Sequence, residues 1–521
     1  MILYDCTLRE GCQTPGVHLT PTDRIRLLEL LDAFGFDQIE GGIPASGGED
    51  AALFAHARRH PMRAKLFAFG FTARGPVESD PGLRALLDCE CLDIALLAKA
   101  HTGQIQSVLG CDPGAYLEAV HNSIDYLTRR GCRVQLTAEH FFDGLCPESS
   151  AALLQTAQQA GATVLALCDT NGGTLPADIQ RGLELARAAT CLPLQLHAHD
   201  DGGLAVANSL CAAQWGVEGL QATVNGYGER CGNANWCTLL PTLTIKAGMP
   251  LSPDIDLANL TDLARAAARV VGKYLPSTAP YVGASAFLHK AGTHIDATQK
   301  APDSFLHITP EAVGNSTSAG LSAAAGRAAV LPFVHRFFPD ATRDDARVEQ
   351  ALALLKQREA QGLHHEEGEA SFTLALADLW ELAEACYRID HLHVVAIEDA
   401  QSPDAANADV AVHAEGQEHA ASAHGEGPVN AMDTALRQSL SATYPRLAEL
   451  ELIDYKVRVL QTDAGTRAKT HVRMVHRANG VFFGTVGASV NIAQASYTAL
   501  SDAIRYFLND YHIKGDQHAS E

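Results

Sequence analysis

The sequence has 521 residues, of which 47% are hydrophobic and 19% are charged, so it is long enough for two or three folded domains and too apolar to be disordered. Its 61 acidic residues outnumber 39 lysines and arginines, and the net charge of −22 argues against nucleic acid and anionic membranes as partners. The thirteen cysteines form no Cys-x-x-Cys pair, and we find no segment typical of a signal peptide and no apolar run of membrane-spanning length, a combination that favours a cytoplasmic protein.

Short apolar runs alternate with helix-like segments from Met1 to about Gly248. Eight of the runs predict strands: ILYDCT, QIEGG, KLFAFGF, LDIALLA, RVQLTAEHF, VLALCDT, PLQLHAH and LQATVNG. Strands that alternate with helices pair in parallel through right-handed crossovers, and eight such units predict a closed (β/α)8 TIM barrel. An open doubly wound sheet is the alternative, but no Gly-x-Gly-x-x-Gly turn follows the first strand.

The rest of the chain predicts two further regions. Residues 253–385 are mostly helical in pattern, with an interruption rich in glycine, alanine and serine at 314–329. From His391 the pattern changes to a strand, a surface loop or edge strand over 402–427, a helix over 429–440, three consecutive strands and a final amphipathic helix. These elements predict a separate C-terminal α+β domain.

Polar residues follow the predicted barrel strands at their carboxyl ends, where parallel barrels carry their catalytic groups. In chain order they are Arg9, Glu10 and Gln13; Lys99 and His101; Glu139 and His140; Asp169, Thr170 and Asn171; His197 and His199; and the segment 225–233. The sequence therefore predicts an active site at this mouth of the barrel.

His197 and His199 predict a metal site at the mouth. Side chains two residues apart on a strand point the same way, and barrel closure would bring Glu10 and Asn233 beside the pair. Two nitrogen and two oxygen ligands suit Zn²⁺, Mn²⁺ or, less naturally, Mg²⁺, which would act as a Lewis acid on a carbonyl. A His-x-His pair alone is more often ordinary polar surface, and Arg9 beside Glu10 could be a solvated ion pair.

Five blocks resemble, in order, the signature blocks of the metal-dependent acyl-CoA condensing TIM barrels: YDCTLREGCQTPGVHLT, AEHFFDG, LCDTNGGTLP, HAHDDGGLAVANS and TVNGYGERCGNAN. That family contains the 2-isopropylmalate, homocitrate and citramalate synthases and related lyases, and blocks such as IEGGIPAS and NGYGERCGNANWC are most typical of long-type citramalate synthases. The tail resembles the C-terminal regulatory domain of these enzymes. Pattern and resemblance together predict a catalytic barrel at 1–270, helical linker subdomains that complete the active site at 271–385, and a regulatory and dimerisation domain at 386–521.

The resemblance implies an aldol–Claisen condensation of acetyl-CoA with a 2-oxo acid, with pyruvate giving citramalate and CoA. By resemblance, the metal ligands are Glu10, His197, His199 and Asn233; Arg9 polarises the ketone; Gln13, Thr170 and Glu139 contact the oxo acid or act beside it; and His294 helps deprotonate the acetyl methyl. The resemblance also implies a homodimer with an amino-acid effector, isoleucine or leucine, at the C-terminal domain.

Several positions depart from the family pattern. Glu10 replaces the commoner aspartate and Asp200 stands in the usual HAHND block, while Phe305 stands where tyrosine is frequent and the alanine-rich segment 323–329 lacks the usual basic and polar residues. These departures leave a catalytically impaired, amino-acid-binding sensor as one alternative. A synthase for a larger 2-oxo acid and a lyase that cleaves a hydroxy acyl-CoA are the others, and the regulatory-type tail argues against the lyase.

Overall fold

The computed structural model of the chain describes residues 1–46, 48–289, 294, 297, 298, 300, 301, 304–316, 321, 326–366, 368–396, 405–460, 465, 467–479 and 481–511. Within it the chain divides into two compact units. The first comprises Met1–Phe287 with Ile308–Thr317, and the second comprises Leu288–His307 with Ser318–Glu521. The predicted segment 323–329 lies partly outside the described residues.

The first unit is built on a closed barrel of eight parallel strands, in which each strand pairs with its successor and the last pairs with the first. The strands are β1 (Ile2–Asp5), β2 (Gln38–Gly42), β3 (Lys65–Phe71), β4 (Asp93–Lys99), β5 (Arg133–Glu139), β6 (Val164–Asp169), β7 (Leu194–Ala198) and β8 (Gly219–Ala222). Each of the eight predicted runs contains or overlaps one of these strands, so the predicted TIM barrel is confirmed.

Helices connect the strands on the outside of the barrel, as the sequence pattern predicts. They are α1 (Pro21–Phe34), α2 (Gly48–Arg59), α3 (Pro81–Asp88), α4 (Thr102–Ser107), α5 (Pro113–Thr128), α6 (Pro147–Gln159), α7 (Pro176–Ala189), α8 (Ala205–Gln214), α9 (Trp236–Pro241) and α10 (Leu260–Val271). Three of them start in the same way: Thr20, Asp80 and Asp112 each accept a hydrogen bond from the backbone N–H three residues on, and proline follows at the first helical position. These caps fix where the helices begin and therefore where the loops at the barrel mouth end.

Closure of the barrel brings distant parts of the chain together at the mouth. The register pairs Ile2 with Gly219 and Asp5 with Ala222, so the segments that follow β1 and β8 lie side by side. Beyond the strands, the N–H of Val224 donates to the hydroxyl of Thr7 at 2.9 Å. The loops after the first and last strands are thus joined directly where functional residues are expected.

The prediction of a mostly helical segment over 253–385 is only partly right. After α10 the chain contains no helix over 272–289, all of which the structure describes, and Pro310–Val313 forms only a short 3₁₀ turn. The alanine content of this stretch favours helix, but Pro276 and Pro280 remove backbone donors and break it. The helical region resumes in the second unit with α11 (Arg327–His335), α12 (Ala346–Ala360) and α13 (Glu369–Leu379).

The remainder of the second unit is the predicted α+β fold. It holds two antiparallel sheets, with strand orders β11-β10-β9 and β12-β13-β14. The strands are β9 (Tyr387–Ala396), β10 (Ala406–Ala414), β11 (Gln417–Gly425), β12 (Glu451–Val459), β13 (Thr470–Ala478) and β14 (Val481–Ser489), and the helices are α14 (Pro428–Leu440) and α15 (Ile492–Leu508). Helix α14 packs on β10 and β11, and α15 packs on β13 and β14.

The stretch 402–427 differs from its prediction as a surface loop or edge strand. Its described part forms the edge strand β11 and also the central strand β10. Ala406, Ala408, Val410 and Val412 are buried against the rest of the unit, and the first three alternate with the exposed Asn407 and Asp409. Small alternating side chains therefore serve here as the buried face of a sheet.

In the part of the chain that the structure describes, we find no helix with the length and apolar character that crossing a membrane requires.

Three histidines are buried in the second unit. His476 on β13 packs against the Phe483 ring, and neither of its ring nitrogens has a hydrogen-bond partner among the described residues. Burial, with Arg437 nearby, lowers the pKa of His476 to about 3. Burial also lowers the pKa of His365 to about 3 and that of His471 to about 4, with Arg358 and Arg458 respectively as the next cause. All three imidazoles are therefore neutral in the folded protein at neutral pH.

Because these histidines are buried and neutral, we expect the free energy of unfolding to fall in mild acid. Since histidine in an unfolded chain titrates near 6.5, the unfolded state takes up protons below this pH that the folded state does not. Each group should lower the free energy of unfolding by about 1 kcal/mol between pH 7.5 and 5.5. Asp5 and Asp502, whose pKa values burial raises to about 7 and about 6, oppose this trend equally in wild type and in a histidine variant. Urea unfolding of wild type and His476→Leu at both pH values should show a smaller pH dependence in the variant. Equal pH dependences would contradict the assignment.

Candidate active site

Arg9 is held at the mouth of the barrel by two carboxylates. One guanidinium nitrogen donates to Glu10 Oε1 at 2.6 Å, and Nε donates to Glu40 on β2. The guanidinium also lies over the Phe69 ring, 4.0 Å from its centroid. All three charged side chains are buried. A buried cation that is paired on two sides and stacked on a ring is a rigid positive centre, unlike a solvated surface ion pair.

Glu40 is a site residue that the sequence interpretation missed. It is 1% exposed, and its second carboxylate oxygen accepts a hydrogen bond from the hydroxyl of Tyr4 at 2.9 Å. The available signal was a single acidic residue inside the otherwise apolar run QIEGG, which needs a buried partner. Glu40 therefore orients Arg9 from a neighbouring strand.

The structure brings the predicted metal-ligating side chains together. His197 lies on β7, and His199 lies just beyond the strand, where it forms an isolated β-bridge with Asn233. His197 Nε2 is 3.6 Å from Glu10 Oε1 and 3.2 Å from Asn233 Nδ2. Glu10, His197 and His199 each offer a ligand atom, and these atoms lie within 4.8 Å of one another. Residues far apart in the chain thus converge through barrel closure.

Hydrogen bonds with two glutamines set the orientation of the His197 ring. Its Nδ1 lies 3.1 Å from Gln221 Oε1, and Gln221 Nε2 donates to Gln195 Oε1 at 2.9 Å. Because the Gln221 oxygen can only accept, Nδ1 carries the hydrogen and Nε2 presents its lone pair toward Glu10. The sequence interpretation did not include these two glutamines, which lie on β7 and β8 next to the ligands.

These residues fit a divalent cation. Glu10 Oε2, His199 Nδ1 and Asn233 Oδ1 are buried and have no hydrogen-bond partner in the described part of the chain. Buried polar atoms in folded proteins are nearly always satisfied, so three orphaned acceptors in one cluster are a strong indication of a ligand. Arg9 contributes one positive charge against the two negative charges of Glu10 and Glu40, which leaves the cluster favourable for a cation.

The protonation states suit metal binding. Burial alone would raise the pKa of Glu10, but the charge of Arg9 lowers that pKa below its usual range. Burial, with His197 next to it, lowers the pKa of His199 to about 4. An ionised carboxylate and a neutral imidazole are the forms that bind metal.

The predicted substrate-binding and acid–base residues lie outside the cluster of proposed metal ligands. Gln13 ends the short 3₁₀ turn Gly11–Gln13 and is exposed. Glu139 at the end of β5 pairs with Lys99 at 2.6 Å, and the hydroxyl of Thr170 accepts the backbone N–H of His140 at 2.7 Å. His294 belongs to the second unit, where its ring stacks on Phe305 at 4.3 Å. Glu139 and Thr170 therefore follow neighbouring strands, whereas His294 is part of another unit.

Sequence comparisons agree with this architecture. The profile of the HMGL-like family matches residues 1–267, the homocitrate synthase post-HMGL domain-like profile matches 281–362, and the LeuA allosteric (dimerisation) domain profile matches 369–508. The (R)-citramalate synthase of Streptomyces coelicolor is 38% identical over 97% of this chain and 96% of its own. The (R)-citramalate synthases of Synechocystis sp. and Aquifex aeolicus are 39% and 37% identical, over 97% of this chain and 96% and 97% of their own lengths.

The cluster predicts measurable metal binding. Replacing His199 with alanine should weaken Mn²⁺ binding by at least about 10-fold, because it removes one ligand of the cluster. Titration calorimetry on the metal-free protein would measure the change, and His60→Ala, an exposed histidine that follows α2, is the matched control. Equal affinities in wild type and His199→Ala would contradict the metal site.

Proposed function

Because the chain belongs to the HMGL-like family and aligns with curated (R)-citramalate synthases over nearly its whole length, we propose that it condenses acetyl-CoA with pyruvate to give citramalate and CoA. The observation that carries this proposal is the buried cluster of Glu10, His197 and His199 beside the doubly paired Arg9. The condensation turns a ketone into an alkoxide, and positive charge fixed at that point lowers the barrier. The predicted metal-dependent synthase chemistry therefore agrees with both the family and the site.

We propose Glu10, His197, His199 and Asn233 as the metal ligands and Mn²⁺, Mg²⁺ or Zn²⁺ as the metal. When bound, such a cation supplies Lewis-acid polarisation of the ketone and orients the oxo acid. Arg9 adds a guanidinium whose position is set by Glu10, Glu40 and the Phe69 ring. Since Arg9 stays protonated throughout the reaction, its contribution is electrostatic.

We propose that Gln13, Thr170 and Glu139 lie beside the bound oxo acid. Glu139 lines a cavity of about 930 Å³ whose wall also includes Phe69, Leu97 and Lys99. The apolar part of that wall suits the methyl group of pyruvate, and a larger 2-oxo acid remains the alternative substrate. We retain His294 as the proposed base that takes a proton from the acetyl methyl, which allows the methyl carbon to attack the ketone carbon.

The second unit supports proposals about regulation and assembly. The match to a LeuA allosteric (dimerisation) domain supports an oligomer, and we propose a homodimer with an amino-acid effector site in this domain. We also propose the division into catalytic barrel (1–270), linker subdomains (271–385) and regulatory domain (386–521). The structure describes all thirteen cysteines and joins none of them by a disulfide, which supports the proposed cytoplasmic location.

A panel of 2-oxo acids tests the reaction. Purified enzyme with Mn²⁺ and acetyl-CoA should release free CoA only when an oxo acid is added, with the highest kcat/KM for pyruvate among acids of increasing side-chain length. A thiol reagent reports the CoA, and mass spectrometry identifies the product. Release with a longer acid in preference to pyruvate would favour an isopropylmalate- or homocitrate-type synthase. Amino-acid binding without any CoA release would favour the sensor suggested by Phe305.

Substitution of Glu40 tests how Arg9 is positioned. In Glu40→Gln, Arg9 keeps only one charged partner, and kcat/KM for the oxo acid should fall by about 10- to 100-fold, or about 1–3 kcal/mol in transition-state stabilisation. Mn²⁺ affinity should fall by less than for His199→Ala, because Glu40 adds one negative charge to the cluster but contacts Arg9 and Tyr4 and none of the proposed ligands. A parallel loss of metal affinity and activity would contradict a role confined to Arg9.

A further inference from the structure

A second cavity, of about 680 Å³, opens at the carboxyl ends of β4, β5 and β6. Its polar lining includes His101, His140, Asp143, Asn171, Thr174 and Arg181. The proposed metal ligands are not part of this lining. Neither the proposed condensation nor the metal site gives this cavity a role. His140, which directly follows Glu139 in the chain, is part of its lining.

In the lining of this cavity, the His140 ring and the Asp143 carboxylate form a hydrogen bond. His140 Nδ1 lies 2.5 Å from Asp143 Oδ2, and both side chains are half-buried. The ionised carboxylate can only accept, so Nδ1 carries the hydrogen and Nε2 is left as a proton acceptor. Nε2 lies 3.9 Å from Glu139 Oε1. An imidazole that is oriented by a carboxylate at one nitrogen and lines a cavity is the arrangement of a general base.

The backbone of His140 is held in an unfavourable conformation that supports the same role. His140 has φ of 59°, in the left-handed region that non-glycine residues rarely adopt. Its N–H donates to the hydroxyl of Thr170 at 2.7 Å, and its side chain is fixed by Asp143. Such a conformation persists where neighbouring groups hold it, and it is found at many functional positions.

We propose that His140, oriented by Asp143, is the general base that hydrolyses the thioester formed by condensation. Nε2 takes a proton from water while the water oxygen forms a bond to the thioester carbonyl carbon. The carbon–sulfur bond then breaks, and the imidazolium returns its proton to the departing thiolate. The products are a carboxylic acid, which ionises, and CoA with a free thiol, so the step needs no oxidant or further reactant.

The barrel topology agrees with this assignment. In the closed order of eight strands, β5 lies opposite β1, whereas the proposed metal ligands lie on or after β1, β7 and β8. The thioester carbon of the condensation product is separated from the former ketone carbon by one methylene group. The proposal places the thioester of a product held at the ligands on the β5 side, next to Glu139 Oε1, which lies 3.9 Å from His140 Nε2. This inference rests on the proposed synthase function.

Single-turnover kinetics with the full-length enzyme and Mn²⁺ test the proposal. With acetyl-CoA and pyruvate, His140→Gln should form the condensed thioester at the wild-type rate and release CoA at least about 100-fold more slowly, so that the thioester accumulates. Rapid quenching and mass spectrometry measure both species. Asp143→Asn should show the same pattern with a smaller defect, and added imidazole should partly restore CoA release in His140→Gly.

A second histidine–carboxylate pair provides the control. His56 on α2 lies 3.2 Å from Glu29, and His56→Gln should leave both steps unchanged. Unchanged CoA release in His140→Gln would overturn the proposal, as would an equal slowing of thioester formation and hydrolysis in a variant with wild-type Mn²⁺ affinity and circular dichroism. Failure of the wild-type enzyme to form any condensed thioester would instead overturn the proposed function, and this inference with it.

Discussion

The carboxylate of Glu10 is shared between a guanidinium and a pair of imidazoles, and the rest of the site depends on this sharing. One oxygen faces Arg9 at 2.6 Å and His197 at 3.6 Å, while the other is buried and has no hydrogen-bond partner among the described residues. A carboxylate removed from water is tolerated only beside positive charge, so Arg9 keeps Glu10 ionised and Glu10 keeps Arg9 in place. The proposed metal site and the proposed electrostatic catalyst are therefore one charge network.

The network exists only in the closed barrel. Glu10 follows the first strand, His197 and His199 lie at the end of the seventh, and Asn233 is positioned by its bridge to His199. The pairing of β8 with β1 and the hydrogen bond from Val224 to Thr7 join these segments. Since no pair of neighbouring strands holds all the proposed ligands, the site can form only when the barrel closes. Fold stability and metal affinity are coupled for this reason.

Much of this architecture could be predicted because it leaves local signals in the sequence. Parallel strands buried on both faces appear as continuous apolar runs, and the spacing of His197 and His199 identifies one face of a strand end. Glu40 signals only that a buried partner is needed, and the sequence does not identify that partner as Arg9, which lies far from it in the chain. The left-handed backbone of His140 is likewise set by contacts after β6. The mostly helical pattern predicted over 253–385 holds for the helices that the structure describes there, whereas 272–289, which contains Pro276 and Pro280, forms none.

The chemistry of imidazole accounts for the opposite placement of the proposed ligands and the proposed base. Condensation needs fixed positive charge where an alkoxide forms, whereas hydrolysis needs a free lone pair that can take a proton from water. A histidine beside the cation would use that lone pair as a ligand. His140 avoids this because it lies after β5, across the barrel from β1, with Asp143 rather than a ligand as its partner. A barrel in which every strand ends at one mouth can hold both environments within the length of a single substrate.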